Sequence, residues 1–290
     1  MLTTRKIYIG LALVATGFLS ACSSGNSLHP IKMTGKYGYI TKSGKIAINP
    51  QFDDVGRFAE GLAPVRMGKM WGYIDSQGKL AINPQFDVAD PFSDGAALIG
   101  TNLRFGYIDK AGKIVINPQF EGAGHFTGGL APVRVGARWG YIDKEGKLKI
   151  NAQFEEAGDF SEGLALVRVN ARYGYIDKSG KLAIQPQFDS AGAFSDGLAL
   201  VELAAKYGYV DKSGKMAINP QFENAGEFSE GMAMVGLGQR FGYIDKSGKF
   251  AINPQFDRAG DFNQGLAPVW VGGRQGYIDK SGKYVWNPTA

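Results

Sequence analysis

The chain of 290 residues carries 32 Lys+Arg against 27 Asp+Glu, too small a basic excess to argue for nucleic acid as a partner. A single cysteine excludes an intramolecular disulfide, and 42 glycines with 12 prolines exclude a body of paired long helices.

The N-terminus reads as a targeting segment. Arg5 and Lys6 precede an apolar run, Ile7 to Phe18, broken only by Gly10, Thr16 and Gly17. About a dozen apolar residues are too few to span a bilayer, which needs roughly 20, but suit a secretory signal. The run ends in Leu19-Ser20-Ala21-Cys22, which resembles the lipobox of bacterial lipoproteins. That resemblance implies cleavage before Cys22 and acylation of Cys22, so residues 1–21 are expected to be a signal peptide and 22–29 a lipidated cysteine with its linker. The membrane would then be a partner through N-terminal acyl chains. The linker from Ser23 to Leu28 reaches only about 20 Å when extended. Ser23 stands where an aspartate usually retains enterobacterial lipoproteins in the inner membrane, which favours the outer membrane. Loss of residues 1–21 removes two basic residues and no acid, so the mature chain is only mildly basic.

Residues 30–290 form one repeat domain. An aromatic residue followed by Gly-Tyr-Ile, as in Trp71-Gly72-Tyr73-Ile74, returns at Gly38, Gly72, Gly106, Gly140, Gly174, Gly208, Gly242 and Gly276, with Val210 replacing the isoleucine once. The step from Gly38 to Gly72 sets the period, and every later step equals it, without insertion or deletion. Units of that size bury their apolar faces by stacking on neighbours. In one unit, Leu62 to Met67, Trp71 to Asp75 and Lys79 to Ile82 read as three antiparallel strands. The turn Asp-Lys-Ser-Gly, as at Asp177 to Gly180, suits a type I turn with a glycine bulge. A connector follows, Pro84 to Gly95, whose Phe86, Ala89 and Phe92 spacing predicts a helical turn or irregular segment that packs its phenylalanines between units. Trp71 and Tyr73 oppose Gly72 and Ile74, so the middle strand should be covered on both faces. Proline at positions 30, 64, 132 and 268 makes the first strand the candidate exposed edge.

The pattern resembles the WG (KWG) repeat family, in which aromatic-Gly units are followed by Asp-x-x-Gly-Lys and a Pro-x-Phe connector. It covers Pro30 to Pro288, although the signature tryptophan is literal only at Trp71 and Trp139, and Gln275 breaks it. The resemblance implies an all-β, non-catalytic interaction module. The fold class expected is all-β, with eight three-stranded antiparallel units stacked as an open twisted array. The departure of the last unit at Gln275, Val285 and Trp286 supports the open form, as a capping repeat would. A closed propeller-like ring is the alternative, supported by a first unit that aligns without a special cap.

Charge follows repeat position. Lys45, Lys79, Lys113, Lys147, Lys181, Lys215, Lys249 and Lys283 follow the hairpin glycine, and a second cationic column precedes the aromatic residue: Lys36, Arg104, Arg138, Arg172, Lys206, Arg240 and Arg274. The connectors hold 18 acids, with only Arg57 and Arg258 as cations. One reading brings the lysine turns and acids such as Glu60, Asp94, Glu162, Asp196 and Glu230 to the same end, where they neutralise each other. The other makes Arg104, Arg138, Arg172, Lys206, Arg240 and Arg274 a repeated site for anionic groups of an envelope glycan or lipid. A variable column on the first strand, including Arg66, Arg134, Arg168 and Trp270, is a further candidate for binding specificity. His29 and His125 are the only histidines and form no ligand cluster, so neither a cofactor nor a metal is expected. The Asp turn has too few carboxylates for a calcium loop. Paired acids such as Glu155 and Glu156 recur in no asymmetric site of the kind an enzyme needs. The functions left are a lipid-anchored scaffold for an envelope protein, or a binder of anionic envelope polysaccharide.

Overall fold

A computed structural model describes residues 28–41, 45–263 and 265–287; the signal peptide and Cys22 lie outside the described residues. The described chain forms eight small antiparallel sheets, six of four strands and two of three. In the second sheet an inner strand, Asp54–Val55, pairs with a second strand, Leu62–Met67; this pairs with a third, Met70–Asp75, and the third with an outer strand, Leu80–Phe86.

The eight sheets are the blades of a closed ring, an eight-bladed β-propeller. The open stack of three-stranded units is therefore incorrect. Its error lies in the connector, which is neither helical nor wholly irregular. The connector's first residues, such as Pro84 to Phe86, lengthen the outer strand, and those that follow become the inner strand of the next blade, two residues long at Asp54–Val55 and six at Glu156–Ser161. Inner edges of successive blades converge closely enough to hydrogen-bond, since His125 reaches Asp90 in the preceding blade and Asp159 in the following one. Units narrow at one edge and wide at the other are wedges, and wedges close into a ring.

The edge assignment also changes. The second strand lies inside the sheet, with Ala63 and Val65 fully buried, and the exposed edge is the outer strand, where Leu80 and Ala81 face solvent. Proline is accepted at position 64 for a specific reason. The Gly56 amide donates to the Pro64 carbonyl, while the Gly56 carbonyl, which an N–H at position 64 would face, accepts the Tyr39 hydroxyl at 2.7 Å instead. No ladder bond is lost to the ring.

The covering of the third strand on both faces is as expected: Gly72, Tyr73 and Ile74 are buried. Its glycine is fixed by close approach. The third and outer strands pair Trp71 with Phe86 and Tyr73 with Ile82, a bulge that presses the outer backbone against Gly72. In the fifth blade a Cβ on Gly174 would lie 2.6 Å from the Ile184 carbonyl oxygen and 2.7 Å from the Pro186 nitrogen. The Asp turn is also as read. Asp177 Oδ1 accepts the amides of Ser179 and Lys181 and the Ser179 hydroxyl, and Gly180 takes φ +85°.

Apolar cores lie between blades. At the second seam, Tyr73, Ile82 and Phe86 of one blade meet Phe92, Ala97, Ile99 and Ile108 of the next. Both connector phenylalanines thus pack between units. Each of the seven seams between consecutive blades is also tied by a buried tyrosine, such as Tyr141, whose hydroxyl donates to the Gly158 carbonyl at 2.8 Å and whose ring meets Phe160 at 5.1 Å.

Candidate functional site on the aromatic face

The ring has two faces of different chemistry. One carries the Asp turns together with the loops from inner to second strands. The other carries the hairpins between second and third strands and the start of each connector, and the motif aromatics stand beside these hairpins. Cross-strand pairing places the variable column directly opposite the motif aromatics: Lys32 faces Tyr37, Arg66 faces Trp71, Arg134 faces Trp139, Arg168 faces Tyr173 and Trp270 faces Gln275. Three of these pairs are cation-π contacts, at 5.0 Å for Lys32 and Tyr37, 6.0 Å for Arg66 and Trp71 and 5.6 Å for Arg168 and Tyr173.

The cationic column before the aromatic residue lies on this same face, and it is largely paired. Lys36 meets Asp53, Arg104 meets Glu121 at 3.2 Å, Arg138 meets Glu155 at 3.7 Å, Arg172 meets Asp189, Lys206 meets Glu223 at 3.4 Å and Arg240 meets Asp257. The partner is each time the acid directly after the connector's first phenylalanine, as Glu121 follows Phe120. Several of these carboxylates also cap the neighbouring hairpin: Asp189 accepts the Ala204 amide at 2.9 Å and Glu155 accepts those of Asn170 and Ala171 at 3.1 Å. The Lys36 ammonium, followed by the Gly68 amide, holds the Asp53 carboxyl below the usual carboxylate range. Asp53, Glu155, Asp189 and Asp257 thus each bridge two blades. An external anion would compete with a built-in one at these six positions. Among the described residues, Arg274 has no ion pair, and Arg134 bonds the Gly136 carbonyl at 3.0 Å.

In the variable column, Arg168 pairs with Glu156 at 2.7 Å, and Glu156 also accepts the Tyr173 hydroxyl at 2.8 Å. Arg66 is 3.6 Å from Asp54. Between the third and fourth blades, Arg104, Phe120, Glu121 and Arg134 line a shallow groove of about 190 Å³. One residue beyond Glu121, Gly122 leaves room for the Trp139 ring, which would be 2.9 Å from an added Cβ.

This face also carries an apolar ring that no charge pattern reveals. The last residue of the second strand is apolar in seven of eight repeats, and Met33, Met67, Val135, Leu237 and Val271 are exposed there. Leu103 projects beside them from a hairpin, 92% exposed and at φ +59°, a conformation a leucine seldom adopts. The signal for this ring was the recurrence, at the repeat period, of Met33, Met67 and Val135 one position after the variable column.

The opposite face is a neutralised network. Lysines and connector acids do meet at one end, but the lysine concerned lies inside the Asp turn. Lys110 pairs with Glu60 at 3.0 Å, Lys212 with Glu162 at 2.9 Å and Lys280 with Glu230 at 3.2 Å. The lysines that follow the turn glycine, such as Lys113 and Lys181, are exposed and have no ion pair among the described residues.

At the axis stands a small titratable cluster that the sequence does not announce. His125 Nδ1 is 2.9 Å from Asp159 and Nε2 is 3.3 Å from Asp90. The Asp159 hydrogen bond, then that to Asp90, raises His125 to about 10. Further round the ring, burial raises Glu227 to about 7, helped by neighbouring Asp261. Both ring nitrogens of His125 are committed to carboxylates, and among the described residues no set of three or more His, Cys, Asp or Glu side chains is arranged to hold a metal.

These features define an eight-bladed β-propeller assembled from tandem repeats. The model of the WG containing repeat matches residues 37–71, 71–102, 105–138, 139–173, 173–207, 207–240 and 241–274. The chain belongs to this family. No curated protein matches it. Among solved structures, it is similar to a eukaryotic initiation factor, with a TM-score of 0.64 at 11% identity over 92% of this chain and 85% of that one. It is also similar to the dihydro-heme d1 dehydrogenase NirN in complex with DHE, with a TM-score of 0.58 at 14% identity over 95% of this chain and 75% of that one. At such identities the likeness concerns the fold alone.

Proposed function

We propose that this protein is a lipid-anchored, non-catalytic scaffold of the bacterial envelope, held by Cys22 at the outer membrane, and that it binds a protein partner on the aromatic face. The carrying observation is the contrast on that face. Six of its column cations already hold carboxylates of the same chain, whereas Met33, Met67, Leu103, Val135 and Leu237 stay uncovered around the rim. Apolar rim residues beside cation-aromatic pairs suit a protein surface better than a polyanion, because exposed ion pairs must be broken before a polyanion gains anything from the cations.

The test is retention of envelope proteins by the full chain in detergent, compared with a Leu103→Asp/Leu237→Asp variant, at low and moderate salt. A protein retained at moderate salt by the wild type and lost with the variant is the expected result. Binding of purified anionic glycan that fades with salt, with proteins retained equally by both forms, would replace this reading by the polysaccharide one.

A further inference from the structure

Two blades carry the same row of side chains across their inner, second and third strands. In the fifth blade the row is Glu156, Arg168 and Tyr173: Arg168 pairs with Glu156 at 2.7 Å, and its guanidinium lies over the Tyr173 ring at 5.6 Å. In the second blade it is Asp54, Arg66 and Trp71, with the corresponding distances 3.6 Å and 6.0 Å. Both rows are complete within the chain, since a carboxylate and an aromatic ring share one guanidinium.

The sixth blade has two of these three parts. Its row is Ser190, Glu202 and Tyr207, so the carboxylate stands in the second strand, directly opposite the ring, and no cation accompanies them. Among the described residues Glu202 has no ion pair, and the adjacent Lys206 is taken by Glu223 at 3.4 Å. The Tyr207 phenol is pushed above its ordinary range by burial and then by the Glu202 carboxylate beside it. This row borders an open cavity of about 210 Å³ between the sixth and seventh blades, walled on its apolar sides by Ala191, Leu200 and Ala225. Glu202 is the one charged residue in its lining.

We infer that this cavity is a binding site for an arginine side chain of the protein partner. Only the source of the arginine rests on the aromatic-face reading; the guanidinium chemistry rests on the row, because two other blades place that group between the same two kinds of neighbour. The guanidinium would donate to Glu202, lie against the Tyr207 ring and run its methylene stem along Leu200 and Ala225. A planar fork that bonds a carboxylate while stacking on a ring suits arginine better than lysine.

The experiment titrates the full chain, in detergent at low salt, with the peptide acetyl-Gly-Arg-Gly-amide and reads binding by calorimetry. Saturable binding is expected, weakened about tenfold or more when citrulline, of the same shape without the charge, replaces the arginine. Glu202→Gln should weaken it by a similar factor, and Glu202→Arg, which gives the row a guanidinium of its own, should abolish it, with far-ultraviolet circular dichroism unchanged in both. No saturable binding, equal binding of the citrulline peptide, or binding unchanged in a folded Glu202→Gln variant would each overturn the proposal. No envelope protein is present in this titration, so its failure strikes this site alone, and failed capture of envelope proteins strikes the aromatic-face reading alone.

Discussion

Removing the hydroxyl of Tyr175 tests the seam architecture directly. The residue is fully buried, its hydroxyl donates to the Gly192 carbonyl at 2.7 Å, and its ring meets Phe194 at 4.8 Å. Burial pushes the phenol well above its ordinary range, so it stays protonated and donates at any working pH. Tyr175→Phe keeps the ring and leaves one buried carbonyl without its partner, which should cost about 1–2 kcal/mol. For a domain of this size that corresponds to a fall of roughly 2–8 °C in Tm. Urea unfolding of wild type, Tyr175→Phe and Tyr277→Phe provides the measurement. Tyr277 serves as the internal control, because its hydroxyl makes no bond across a seam among the described residues and only accepts from Gln275. A Tyr175→Phe variant within about 0.3 kcal/mol of wild type, or equal losses at both positions, would refute the view that these hydroxyls tie the blades.

Three further outcomes rest on the same geometry. Gly174→Ala should destabilise by about 1–3 kcal/mol, because its Cβ would meet outer-strand backbone that cannot step aside; a smaller loss in urea unfolding would mean the bulge relaxes. Met234→Pro should be tolerated within about 1 kcal/mol, since the Gly226 carbonyl it faces is held by Tyr209, whereas Val235→Pro, fully buried and facing Gly242 across the ladder, should cost about 3 kcal/mol or more in the same assay. Arg172→Ala should change stability by less than about 1 kcal/mol, the ordinary value for an exposed pair, and unfolding at low and high salt checks it.

The parts of the fold legible in the sequence are those determined locally along the chain. Asp177 to Gly180 announces its turn, Gly72 and Tyr73 their covered strand, and Phe86 and Phe92 their seam. Inner strands of two residues, such as Asp54–Val55, are too short to show a period, and at the fourth blade the strand shrinks to the single bridge of Ala123 with Val133. Without the inner strand, a unit has parallel sides and an open stack is the natural inference; with it, the unit is a wedge. Pro64 misled for a related reason, because the tyrosine that makes it harmless belongs to the previous repeat. The candidate cations were found, but not their partners, since an acid half a repeat away becomes a neighbour only once the outer strand has run back beside the third. Distance along the chain likewise hid the setting of His125, whose partners Asp90 and Asp159 lie one repeat away on either side.

That axial cluster gives the ring a pH response whose sign follows from the two raised groups. His125 is raised to about 10, so its stabilisation is complete below its ordinary value near 6.5 and is lost as pH rises through about 10. Glu227 is an acid raised to about 7, so the protonated form is favoured by folding; its contribution is complete below about 4.5 and is lost as pH rises through about 7. Both contributions act in the same direction, so stability should decline from mildly acid to alkaline pH. Urea unfolding at pH 5, 7 and 9 would separate them. Glu227→Gln should flatten the lower half of the decline and His125→Asn the upper half. A decline untouched by both variants would place its origin outside this cluster. The physical reason the cluster exists is convergence: a ring whose inner edges meet forces position-equivalent side chains from adjacent repeats into one another's company, and at this axis the repeats have supplied carboxylates.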